Sequence, residues 1–156
     1  MITRIIIIII MLLLFVVPSS PAADSTIAGF VKTVKGEACI LREGQINPAV
    51  IGTQILIHDR LRTGLAGSLG MVFKDDTLMS LGPNSEVLIN NFDFSPAESK
   101  MAIFTRMLKG TVVYLSGIIA KISPDAVRFE TPVANIAVRG TRFAVKVEGD
   151  SQITCQ

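Results

Sequence analysis

Short runs of alternating apolar and polar residues, each soon closed by a turn signal, constrain this chain more than any other feature. Leu69, Met71 and Phe73 fall on one face of an extended segment, as do Thr77, Met79 and Leu81, and then Ser85, Val87 and Ile89. Period two with one apolar face describes a half-buried β-strand, because successive side chains of extended backbone point to opposite sides. Asp75-Asp76 and Gly82-Pro83-Asn84 separate these runs, and both are strong turn formers. The same reasoning predicts strands over Ile27 to Val34, Ala38 to Arg42, Leu69 to Phe73, Thr77 to Leu81, Val87 to Ile89, Met101 to Leu108, Val112 to Leu115, Val127 to Thr131, Asn135 to Val138 and Phe143 to Val147. Only Ser116 to Ser123, ended by Pro124, has helical spacing, with Ile118, Ile119 and Ile122 on one side. The expectation is an all-β chain with at most one short helix near 116–123.

Two all-β architectures fit that pattern. Short strands at intervals of roughly 8–12 residues suit a twisted β-sandwich or a barrel. Nearly equal steps between the apolar faces of 59–90 also suit a β-solenoid-like stack of rungs. Neither predicts a deep, polar-lined cleft.

The N-terminus predicts a destination. Arg4 is followed by an unbroken apolar run from Ile5 to Val17, then Pro18 and small residues through Ala22 and Ala23. Thirteen apolar residues fall short of the roughly 20 that span a bilayer. The order positive, apolar, small is that of a secretory signal peptide. The expected division is a signal peptide over 1–23 and one all-β domain over 24–156. An uncleaved anchor is the alternative; after cleavage no stable membrane anchor is expected, and the product is periplasmic or secreted. A net charge of +2 with interspersed signs argues against nucleic acid as a partner. Export also permits a disulfide between Cys39 and Cys155, the only cysteines, although a buried lone thiol at Cys39 fits the sequence equally well.

Several runs, taken in order, resemble the FecR-like domain family. They are Val31-Lys32-Thr33-Val34-Lys35-Gly36-Glu37-Ala38, Asp59-Arg60-Leu61-Arg62-Thr63-Gly64, Gly67-Ser68, Phe73-Lys74-Asp75-Asp76-Thr77, Leu81-Gly82-Pro83-Asn84-Ser85, Glu130-Thr131-Pro132 and Ala137-Val138-Arg139-Gly140-Thr141-Arg142-Phe143. The resemblance covers about residues 29 to 147, and Phe94 to Lys121 looks like the short, stand-alone exported members. It implies a β-solenoid-like or twisted all-β fold and a binding or sensing role. A cytoplasmic helical domain acting on a sigma factor is not expected ahead of the apolar run.

The motif residues Asp59, Thr63, Gly64, Gly82, Pro83, Asn84, Arg139, Gly140, Thr141 and Phe143 invite two readings. Arg139-Gly140-Thr141 has the chemistry to hold a carboxylate or sugar. A turn specified by glycine and a capping hydroxyl is the simpler account, and it applies equally to Thr63-Gly64 and Gly82-Pro83-Asn84. Asp75-Asp76 lacks the oxygen donors calcium needs, and His58 has no second ligand beside it, so no metal or cofactor is expected. No nucleophile, base and orienting group fall together, so no catalytic residue is expected. The sequence therefore predicts a non-catalytic envelope module whose partner is an envelope protein, recognised at a sheet edge or a row of turns. A self-associating structural element of a secreted or surface complex is the alternative. A small envelope glycan hydrolase is a more distant one.

Overall fold

The computed structural model describes residues 27–138, 142–149 and 151–155; the signal peptide expected over 1–23 and Arg139, Gly140 and Thr141 lie outside the described residues. Twelve strands form one continuous, curled and mostly antiparallel sheet. They are β1 (Ile27–Lys35), β2 (Ala38–Arg42), β3 (Gln45–Pro48), β4 (Gln54–Leu56), β5 (Arg60–Thr63), β6 (Ser68–Phe73), β7 (Leu78–Leu81), β8 (Glu86–Ser95), β9 (Lys100–Leu115), β10 (Val127–Glu130), β11 (Asn135–Ala137) and β12 (Arg142–Val147). The single α-helix among the described residues, α1 (Ile118–Ile122), sits inside the segment with helical spacing.

The all-β expectation holds, but the rung-like reading of 59–90 does not. Stacked rungs pair in parallel, whereas β6 and β7 form an antiparallel hairpin, with Leu69 opposite Leu81 and Met71 opposite Met79. Nor do two separate sheets face each other, because β9 runs through both arms of the curl. Its second half pairs with β7 and β12, continuing through β6 and β1 to β4. Its first half pairs with β8 and, in parallel, β10, continuing on the β8 side through β5 and β2 to β3.

The sequence reads β9 as two strands because Lys109-Gly110 interrupts the alternation. The chain bends there without ending the strand. Gly110 has φ of +95°, and a Cβ on it would lie 2.3 Å from the Ser85 Cα. Only glycine tolerates both the angle and that approach. The bend carries β9 from one arm to the other, and Val112 and Tyr114 beyond it point inward with Ile103 and Met107 before it.

The core lies in the hollow of the curl. Phe73 on β6 stacks on Phe92 on β8 across it, ring centroids 5.5 Å apart. Tyr114, Phe129 and Phe143 form a second aromatic group, with Tyr114 to Phe143 at 4.9 Å and Phe129 to Phe143 at 5.3 Å. Such pairs contribute about 0.5–1.5 kcal/mol each beyond the area they bury. Phe143, singled out by the motif, is thus a core-side residue of β12.

Candidate functional site

Of the described motif residues, Thr63, Gly64, Gly82, Pro83 and Asn84 gather at one end of the sheet, where two turns, the bend of β9 and the C-terminal segment meet. Thr63 closes β5, and its hydroxyl donates to the Gly82 carbonyl at 2.7 Å and accepts from the Ser85 N–H at 2.9 Å. The Thr63 N–H donates to the Ser85 carbonyl, and the Asn84 N–H to that of Gly64. Ser85 Oγ accepts from the Thr111 N–H at 2.9 Å, and the Gly82 N–H donates to the Thr111 carbonyl at 2.8 Å. The Thr63-Gly64 turn, the Gly82-Pro83-Asn84-Ser85 turn and the bend of β9 therefore lock one another. Asn84 has φ of +48°, a left-handed angle that asparagine tolerates better than most side chains.

Glu37 and the C-terminal segment complete this clasp. Gly64 leaves room for Glu37, whose Oε2 would lie 2.4 Å from a Cβ at that position. Glu37 Oε1 accepts from the Cys155 N–H at 2.7 Å. Asn84 Oδ1 accepts from the Ile153 N–H at 2.9 Å, and Lys109 Nζ donates to Ser151 Oγ at 2.7 Å and to the Ser151 carbonyl. Cys155 is joined to Cys39 on β2, with Cα atoms 5.8 Å apart. Residues 151–155 thus form a strap across the ends of several strands, with the Ile153 side chain buried.

Asp59 serves a different junction. It is 1 % exposed and accepts from Arg42 Nε at 2.8 Å, Arg42 Nη2 at 2.7 Å and the Leu56 N–H at 2.7 Å. A two-point guanidinium–carboxylate pair fixes direction as well as distance, so it holds the β4–β5 corner against β2. The pair keeps the Arg42 guanidinium above its ordinary value, chiefly through the hydrogen bond to Asp59.

Asp75 is buried and faces α1. Its carboxylate accepts from the Thr77 N–H at 3.1 Å, the Thr77 hydroxyl at 2.9 Å and the Ile119 N–H at 3.2 Å. Its oxygens thus hold the turn and the start of the helix. Thr77 Oγ1 also accepts from the Gly117 N–H at 2.9 Å. Nearby, the Tyr114 hydroxyl is buried and meets no partner at hydrogen-bonding geometry among the described residues. Burial raises this phenol above its ordinary range; the adjacent Thr77 hydroxyl opposes the shift and the Asp75 charge adds to it.

Sequence reasoning missed Glu37, Arg42, Lys109 and Gly110 as partners of the motif. A glutamate in the β1–β2 turn, an arginine on β2 and the Lys109-Gly110 pair on β9 lie far apart in sequence and carry no local signal of shared junctions. Among the described residues, no three His, Cys, Asp or Glu side chains converge in a way that would hold a metal ion, and no helix is long and apolar enough to cross a membrane.

The family model described as FecR protein covers residues 59–156. No curated protein and no solved structure matches the chain.

Proposed function

The chain belongs to the FecR family, and we propose that it is an exported, non-catalytic sensing module that binds a protein partner at the cell envelope. The observation that carries this reading is the clasp: Thr63, Asn84 and Ser85 direct their polar groups at backbone and at one another. Residues so engaged hold a scaffold and leave recognition to its surfaces. The order of the leader and a Cys39–Cys155 bridge both suit an oxidising compartment, the periplasm or the exterior. Strand β12 offers one place for contact, since among the described residues it pairs only with β9. An extended partner segment adds to such an edge through main-chain hydrogen bonds.

The test is capture from envelope extract by the full-length protein, with light scattering on the same preparation. One saturable partner is the expected result. Concentration-dependent oligomers without a partner would replace this reading with a self-assembling structural element, and turnover of envelope glycans would replace it with an enzyme.

A further inference from the structure

The outer face of the arm formed by β1, β6, β7, the second half of β9 and β12 has a chemistry the clasp does not explain. The pairing register lines up three rows across these strands. The first is Phe30, Val72, Leu78, Leu115 and Arg142. The second is Thr33, Gly70, Ser80, Val113 and Ala144. The third includes Lys35 opposite Ser68 and Thr111 opposite Lys146.

Large apolar residues thus stand on one side, small ones along the middle, and a polar row with a lysine at either end on the other. Phe30, Leu78 and Leu115 are 37 %, 40 % and 39 % exposed, high values for side chains on a sheet face. Leu78, Ser80, Val113, Leu115 and Arg142 line a shallow depression of about 180 Å³. No strand of this face carries an aspartate or glutamate, whereas Lys32, Lys35, Arg142 and Lys146 do carry charge. The carboxylates nearest in sequence are Glu37, which accepts from the Cys155 N–H, Asp75 and Asp76 in the β6–β7 turn, and Glu148, which pairs with Lys146 at 3.3 Å.

We infer that this trough is the seat of an amphipathic α-helix from a partner protein, apolar toward Phe30, Leu78 and Leu115 and acidic toward Lys35 and Lys146. The inference rests on the module reading above and places the contact on this face in preference to the β12 edge. Dimensions support it. Same-face residues two apart lie about 6.8 Å from each other, so the rows of Leu115 and Thr111 run roughly 13 Å apart, against a helix diameter of about 10–12 Å. Five strands span about 19 Å, the length of roughly 13 helical residues. Charge excludes the nearest alternatives. A second copy would bring one basic face against another. The apolar run from Ile5 to Val17 carries no acidic residue for the lysine wall. A flat bilayer has no ridge to fill a trough.

The probe is a synthetic 14-residue helical peptide with leucines at i, i+3, i+4, i+7 and glutamates along one flank, titrated by fluorescence anisotropy against the full-length protein. Saturable micromolar binding is expected, weakened about tenfold or more by Leu78→Glu with Leu115→Glu, where burial of both leucines is lost. Lys35→Glu with Lys146→Glu should weaken it by a similar factor, and 0.5 M salt should weaken the wild-type complex. The inference is overturned if a peptide with lysines in place of the glutamates binds as well, if no saturable binding occurs, or if phosphatidylglycerol vesicles bind while the peptide does not. Repeating the envelope capture with the leucine variant separates the two readings. A partner retained by both proteins sinks this surface alone, and a partner captured by neither sinks the module reading.

Discussion

Opening the Cys39–Cys155 bridge tests whether the strap is a working part of the fold. The bridge joins residues 116 positions apart, so it removes loop-closure freedom from nearly the whole described chain when unfolded. The chain-entropy relation puts that stabilisation at about 4.8 kcal/mol at 25 °C. The native state decides how much of it is lost. Five side-chain hydrogen bonds hold the strap besides the bridge, one from Glu37, two from Lys109 and one from each end of the Asn84 amide. If they keep it docked, Cys155→Ser should lose most of the 4.8 kcal/mol, an apparent Tm drop of roughly 10–25 °C for a domain of this size. If the strap lifts off, the native chain regains freedom and the loss should shrink to about 1–2 kcal/mol. Cys39→Ser should cost up to about 1 kcal/mol more, because it also leaves a hydroxyl at a site only 1 % exposed. Urea unfolding of the wild type with and without reductant, beside both variants, measures the loss. Amide exchange at Ile153 reports whether the strap stays down. A loss below about 1 kcal/mol together with an Ile153 amide that stays protected would refute the reasoning, since a docked strap must then be tied by something other than the bridge.

Three further outcomes follow from single contacts. Gly110→Ala should cost more than about 3 kcal/mol or prevent folding, since its Cβ meets the Ser85 backbone, while Gly44→Ala, at φ of +81° with nothing within 4 Å, should cost only about 1 kcal/mol; parallel urea curves decide. Arg42→Met should cost about 2–4 kcal/mol by leaving the buried Asp59 carboxylate without its partner, and Asp59→Asn less, because Arg42 is half-exposed and can turn to water. Tyr114 is the only tyrosine, and its phenol titrates above the ordinary value of about 10 when folded. Above that pH the unfolded chain has released a proton that the folded one keeps, so stability present below it should fall as pH rises. Tyrosinate absorbance should therefore appear together with loss of the far-ultraviolet signal, and Tyr114→Phe should remove that slope at neutral or slightly positive effect on stability.

Strand existence was legible where alternation was clean, as in β1, β2, β6, β7 and β12. β3, β4 and β5 were not read as strands. β3 is exposed throughout and ends in Pro48, so it has no apolar face to betray it. β4 has three residues, and β5 alternates arginine with Leu61 and Thr63, which reads as a motif before it reads as a strand. The fusion of two predicted strands into β9 depended on Ser85 standing over Gly110, a contact between residues distant in sequence. The turn reading of Thr63-Gly64 and Gly82-Pro83-Asn84 was available from glycine, proline and asparagine chemistry alone. What those turns hold was not, because Glu37, Lys109 and residues 151–155 reach them only after the sheet has curled. The outer trough was equally hidden: Phe30, Val72, Leu78, Leu115 and Arg142 form a row only once five strands are in register.

The clasp and the trough meet on β9 yet make independent demands on the sequence. Extended backbone sends alternate side chains to opposite faces, so Met79 and Tyr114 serve the core while Leu78 and Leu115 beside them face out. The turns that fix the register are built from Thr63, Gly64, Gly82, Asn84, Ser85 and Gly110, none of which belongs to the apolar row of the trough. Substitution at Phe30, Leu78 or Leu115 therefore changes the surface offered to a partner without touching the contacts that set the fold. A scaffold arranged this way lets the proposed docking face be altered while the turn contacts stay intact, so binding and stability can be tested apart.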